Sequence, residues 1–144
     1  MFKHILVPTD GSALSQKAVD AAIQLAATTG GALTGYACLP EYPVSPFTEV
    51  IVEPPLDFQM RCERDAQRHL DKVTSQAAAH GVPCTTRVST HASPYLGIVE
   101  AAEGAGCDVI LIASHGRHGL TQMLVGSETQ RVLSHTRIPV LIYR

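Results

Sequence analysis

Short apolar runs alternate with helical periods along the whole of this 144-residue chain, and that alternation leaves few folds open. His4 to Val7 is an apolar run closed by Pro8, after which Ala18, Ala22, Leu25 and Ala26 recur at helical spacing until Gly30-Gly31. Ala32 to Leu39 reads as a second strand. Pro40, Pro43, Pro46, Pro54 and Pro55 then predict a long loop without regular structure, of the kind that often carries function. A helix follows from about Asp57, with Phe58, Cys62, Ala66, Leu70, Val73 and Ala77 on one face and Gly81 beyond its end. Cys84 to Ser89 is a third strand, and Pro94 opens a helix through Ile98, Val99 and Ala102. Asp108 to Ala113 is a fourth strand. Ser127 is expected to cap the last helix, with Gln130 completing a capping box, and Ile138 to Tyr143 is a fifth strand. Strands separated by helices pair in parallel through right-handed crossovers, so the expected fold is an open five-stranded α/β sheet covered on both faces, in one domain over residues 1–144.

Composition narrows the function. A chain of this length buries roughly 68–70% of its unfolded surface, enough for a core without disulfides or structural metal. The formal charge of -2 argues against an electrostatically driven nucleic-acid or membrane partner. One basic cluster, Arg61, Arg64, Arg68 and Lys72, is interleaved with Glu63, Asp65 and Asp71 and reads as a solvated helix face. Cys38, Cys62, Cys84 and Cys107 show no CxxC spacing and read as reduced packing residues. The opening apolar run is too short for a signal peptide, and no stretch has the length of a membrane span, so the expected location is the cytoplasm.

The most specific motif runs from Asp108 to Ser127. An apolar strand feeds a loop that opens as Ser114-His115-Gly116 and ends at Gly126-Ser127. Glycines there allow sharp turns or close ligand approach, and the helix beginning at the loop's end offers unpaired N–H groups and a positive dipole end, a setting suited to phosphate. Parallel sheets bind ligands beyond the strands' carboxyl ends where strand order reverses. With the first and fourth strands as central neighbours, the Thr9-Asp10-Gly11-Ser12 turn faces this loop across such a crevice.

These residues carry a resemblance to the universal stress protein family over essentially the full chain. Its nucleotide-binding members carry Gly, two residues, Gly, nine residues, then Gly with Ser or Thr; this chain supplies Gly116, the nine-residue gap, Gly126 and Ser127, with Ala113 where the pattern has its first glycine. The opening Val7-Pro8-Thr9-Asp10 agrees as well. The resemblance implies a Rossmann-like strand order of 3-2-1-4-5 and ATP as ligand, with or without Mg. It places Asp10 near the ribose or a phosphate-bound metal, Cys38 and Ile112 at the adenine, and phosphates on backbone groups around Gly116 and at Gly126-Ser127. The implied nucleotide-contacting set is Pro8, Thr9, Asp10, Cys38, Ile112, Ala113, Ser114, His115, Gly116, Arg117, Gly126, Ser127, Glu128 and Thr129. It also implies a homodimer through the last strand, with Val140 and Ile142 at the contact, and an unpaired edge strand calls for the same partner.

Each residue has a plainer role open to it. Asp10 can simply brace its turn, Ser127 can simply cap, and Cys38 and Ile112 can simply pack. His115 and His118 lack an identifiable third metal ligand, Arg117 is either a phosphate clamp or an exposed charge, and Gly119 permits a loop turn. Other phosphate-site classes fit worse, because GxxxxGK[ST] and GxGxxG are both missing and the first strand ends on a single carboxylate. No catalytic triad is placed by a motif. The function that the resemblance implies is that of an ATP-binding stress-response sensor or regulator, more binder than enzyme. A family member acting through protein contacts alone, favoured by Ala113, and a slow ATPase are the alternatives.

Overall fold

A computed structural model describes residues 1–44, 53–116 and 125–144. The chain forms β1 (His4–Pro8), α1 (Ala13–Thr29), β2 (Ala32–Leu39), α2 (Pro55–Ala79), β3 (Cys84–Thr90), α3 (Pro94–Gly104), β4 (Val109–Ala113), α4 (Ser127–His135) and β5 (Val140–Tyr143). The five strands are parallel in the order β3-β2-β1-β4-β5, as expected.

Period-two alternation divides the core into two layers. Ile5, Val7, Leu33, Val109, Leu111 and Ala113 point to one face and pack with Ala18, Val19, Ala22 and Ile23 of α1 and Val73 and Ala77 of α2. Leu6, Tyr36, Ile110 and Ile112 point to the other face, against Ile98 and Ala102 of α3 and Val132 of α4. Strands buried on both sides read as unbroken apolar runs, which is why β1 and β4 were legible without alternation in the sequence. Tight caps close α1. Ser12 accepts the Ser15 N–H at 3.2 Å, and Gly30 stops the helix in the left-handed region at φ 64°.

Some boundaries differ from expectation. β5 begins at Val140 because Ile138 is still in the turn, its N–H bonded to Thr136 Oγ1 at 3.1 Å. Proline tolerates the first helical turn, so α2 begins at Pro55, ahead of Asp57. Ser127 is not the cap of α4. Gly126, extended at φ -70° and ψ 160°, holds that position without a side-chain bond, Ser127 is the first helical residue, and the Gln130 side chain donates to the Val125 carbonyl at 3.1 Å instead of closing a capping box. Both Gly and Ser are favoured at N-caps, so a one-residue slip costs little in sequence terms.

The ladder between β1 and β4 is short. Ile5 pairs with Val109 and Leu6 with Ile110, whereas β1 and β2 stay in register from His4–Ala32 to Pro8–Tyr36. Toward their carboxyl ends β1 and β4 therefore leave a cleft.

Candidate functional site

A cavity of about 500 Å³ occupies the carboxyl ends of β1, β2 and β4. Twelve members of the set implied by sequence line it: Pro8, Thr9, Asp10, Cys38, Ile112, Ala113, His115, Gly116, Gly126, Ser127, Glu128 and Thr129. Ser114 does not line it. Its side chain bonds His115 Nδ1 at 3.0 Å and its N–H donates to the Tyr143 carbonyl at 2.7 Å. Arg117, together with His118 and Gly119, lies outside the described residues.

The β1–α1 turn is self-braced. Asp10 Oδ1 accepts the Ser12 N–H at 2.9 Å, and the Thr9 hydroxyl accepts from Gly11 N–H at 3.3 Å. Gly11 sits at φ +78°, a conformation that favours glycine, and a Cβ there would lie 2.2 Å from His69 Nε2 on α2, so the imidazole would have to move aside. Glycines 116 and 126 serve a different purpose from the sharp turns expected of them. Neither has positive φ; a Cβ on Gly116 would lie 2.9 Å from Asp10 Oδ2, and one on Gly126 would lie 3.1 Å from the Ser114 carbonyl oxygen. They permit close approach.

The opposite wall presents the first turn of α4. Thr129 Oγ1 donates to the Ala113 carbonyl at 3.0 Å, and Gly126 N–H donates to the Ser114 carbonyl at 2.6 Å, fixing the helix start to the end of β4. First-turn amides have no acceptor within their own helix, and among the described residues no side chain caps α4, so its N–H groups form an electropositive edge of the cavity. His115 Nε2 is buried and has no hydrogen-bond partner among the described residues. The apolar end is formed by Ile98, Ile112, Leu39 and Cys38. Burial pushes the Cys38 thiol above its ordinary pKa, with the Tyr36 hydroxyl and the His91 backbone opposing more weakly, so at neutral pH it is a protonated packing group.

Ala113 is the departure from the glycine pattern. It ends an extended strand, has no positive φ, is 6% exposed, and packs in the core layer under α1 and α2. It stands where that core layer meets the cavity it lines.

Sequence reasoning missed the contribution of α2. Phe58, Arg61, Cys62, Asp65, Ala66 and His69 form a stripe along the cavity at spacings of three and four. The apolar members read as core and Arg61 and Asp65 as a solvated face, but core burial begins only at Ala66; the amino-terminal turns of α2 reach past the sheet. Arg61 pairs with Glu53 at 3.0 Å and lies over the Phe58 ring at 5.4 Å, and Phe58 stacks edge-on with Tyr42. The free parallel strand ends, the glycine-lined turn and the uncapped helix make a crevice at the carboxyl edge of the sheet, the place where open α/β sheets bind ligands.

The Universal stress protein family matches residues 1–144. A universal stress protein of Methanocaldococcus jannaschii is 32% identical, covering 100% of this chain and 83% of its own length. A solved structure from the same family in Burkholderia pseudomallei superimposes with a TM-score of 0.77 at 26% identity, covering 98% and 95% of the two chains. Two further solved structures share the fold: a universal stress protein in complex with cAMP (TM-score 0.71, 24% identity, 99% and 97% covered) and one from Archaeoglobus fulgidus in complex with dAMP (TM-score 0.70, 17% identity, 100% of both). This chain belongs to the universal stress protein family.

Proposed function

We propose that this protein binds ATP in the β1–β4 cleft and acts in the cytoplasm as a homodimeric stress-response sensor or regulator. The observation that carries the reading is the uncapped first turn of α4 opening on a cavity of about 500 Å³ whose other end is apolar. In this reading the adenine lies against Cys38, Ile98 and Ile112, and the phosphates meet the amides following Gly126. His115 Nε2 supplies a buried polar atom that has no partner among the described residues. The complexes of relatives with cAMP and dAMP support the same ligand class.

Ala113 does not weaken this reading, since it has no positive φ that would call for glycine and it packs in the core layer under α1 and α2. That geometry favours a nucleotide-binding member over one acting through protein contacts alone. Magnesium fits as a companion of the phosphates. It takes one or two carboxylates plus phosphate oxygens, and Asp10, with Oδ2 beside Gly116, is such a carboxylate; bound there, the ion would neutralise phosphate charge.

The dimer reading rests on the edge position of β5. Val140 and Ile142, the residues expected at the contact, pack half-buried against the chain's own core, while Leu141 and Tyr143 are each 37% exposed on the other face. The proposed contact therefore runs along the β5 backbone and engages Leu141 and Tyr143.

The direct test is to denature the purified protein, identify any released nucleotide, and titrate the emptied protein with ATP by calorimetry with and without Mg. Released or titratable ATP supports the reading. Failure of a folded protein to bind ATP under either condition rejects it, and turnover during the titration would reassign the protein as a slow ATPase.

A further inference from the structure

We propose that the Glu128–Arg131 pair on the first turns of α4 sets the charge selectivity of the nucleotide site, with Glu128 penalising each additional phosphate charge. The inference rests on the nucleotide reading above. Glu128 is the second residue of α4 and lines the cavity beside the amides assigned to phosphate. An acid there ordinarily turns back on its own helix's amides. Here it does not. Its Oε2 accepts the Tyr95 N–H at 3.0 Å, capping α3, whose own N-cap residue Ser93 makes no side-chain bond. Its Oε1 accepts from Arg131 at 3.1 Å, and the Arg131 guanidinium lies over the Tyr95 ring at 5.7 Å.

Two consequences follow from this arrangement. Anchoring the carboxylate on α3 leaves the α4 amides open toward the cavity, so the acid does not occupy the anion site. Its charge nevertheless stays at the phosphate end, offset in part by Arg131. Among the described residues lining the cavity, Asp10, Asp65 and Glu128 are acidic, His69 and His115 are histidines, and Arg61 is the strong cation, itself paired with Glu53. Of these, Glu128 shares the helix turn that offers the amides. A ligand's phosphate charge is therefore weighed against Glu128, while an uncharged nucleoside is not.

Glu128→Gln keeps an oxygen acceptor for the Tyr95 N–H and removes the charge; Arg131→Gln removes the offset and leaves the acid. Calorimetry of the parent and both variants with adenosine, AMP, ADP and ATP, without Mg, reads the effect. Expected for Glu128→Gln is unchanged adenosine affinity and a tightening of about threefold per added unit of ligand charge, the factor produced by a unit charge about 6 Å away in a water-like dielectric. Arg131→Gln should weaken the phosphorylated ligands in the same order, and it tests the proposal even where Glu128→Gln folds poorly. A role confined to capping α3 would shift adenosine and ATP alike, and that result, or a flat response across the series in both variants, overturns the proposal. If the parent binds none of the four ligands, the nucleotide reading itself fails, and the selectivity proposal with it.

Discussion

Replacing Ala113 by glycine restores the residue that the family pattern carries, and the structure predicts that the restoration harms the protein without helping the ligand. The Ala113 methyl is buried in the layer under α1 and α2, so deleting it forfeits about 0.8 kcal/mol of apolar burial. Glycine inside a strand adds about 0.5–1 kcal/mol through the extra freedom of the unfolded chain. The sum is about 1.5 kcal/mol, or roughly 3–6 °C in Tm for a chain of this size. No positive φ has to be relieved, and the Thr129 hydroxyl bond to the Ala113 carbonyl is kept. Calorimetric melting of the ligand-free protein reads the stability change, and isothermal titration with ATP reads affinity, which should stay within about twofold of the parent, a change under RT ln 2 of about 0.4 kcal/mol. A tenfold gain in ATP affinity, or an unchanged Tm, would show that the methyl faces the ligand and that this reading of β4 is wrong.

Gly126→Val has an acceptable backbone at φ -70° but puts a side chain against the Ser114 carbonyl and into the cavity, so the protein should fold and lose most of its ATP affinity; unchanged affinity in a folded variant would remove the phosphate assignment from α4. Because Ser127 is the first helical residue and makes no cap bond, Ser127→Ala should change stability by under about 0.5 kcal/mol, and a loss of about 1 kcal/mol in chemical denaturation would restore the capping role. Leu141→Lys should dissociate the proposed dimer in sedimentation velocity while sparing the fold, whereas Val140→Lys should lower Tm by charging a half-buried core position; a parent that sediments as a monomer rejects the dimer, and a dimer indifferent to Leu141→Lys places the contact elsewhere. Desolvation raises the Asp108 pKa, but N–H bonds from Lys3 at 2.9 Å and His4 at 3.0 Å outweigh it and hold the carboxyl below its ordinary value. That stabilisation is complete above the unfolded-state carboxylate pKa and is lost as pH falls through the lower folded value, so Asp108→Asn should flatten the acid limb of a stability–pH profile; an unaltered limb would contradict it.

What could be read from the sequence was what one period and one local motif encode. β2 was read from Ala32 to Leu39, its observed bounds, because an apolar run between Gly31 and Pro40 has one interpretation. The strand order came through the family resemblance, since parallel crossovers alone do not rank the strands. The α2 stripe was not legible, because helical spacing is the same whether a face meets the core or a cavity; only the position of α2 past the end of the sheet turns Arg61, Asp65 and His69 toward the site. The role of Glu128 was hidden for a related reason. Arg131 is its neighbour three residues on in the same helix, but Tyr95 meets it only once α3 and α4 are side by side.

The short β1–β4 ladder also bears on how the chain assembles. β1, α1 and β2 are consecutive and can form a unit early, but the β1–β4 seam joins Lys3 and His4 to Asp108, about a hundred residues away. Closing a loop of that length costs on the order of 4 kcal/mol in chain entropy, recovered across two registered residue pairs and the Asp108 bonds. The seam should therefore be among the last parts to form, and, with Ile5, Leu6, Val109 and Ile110 fully buried between the two helix layers, it should open only with the core itself. A ligand held between the β1–α1 turn and the start of α4 would touch both sides of that seam. In such a fold a small molecule can act as the fastener between two halves of one chain.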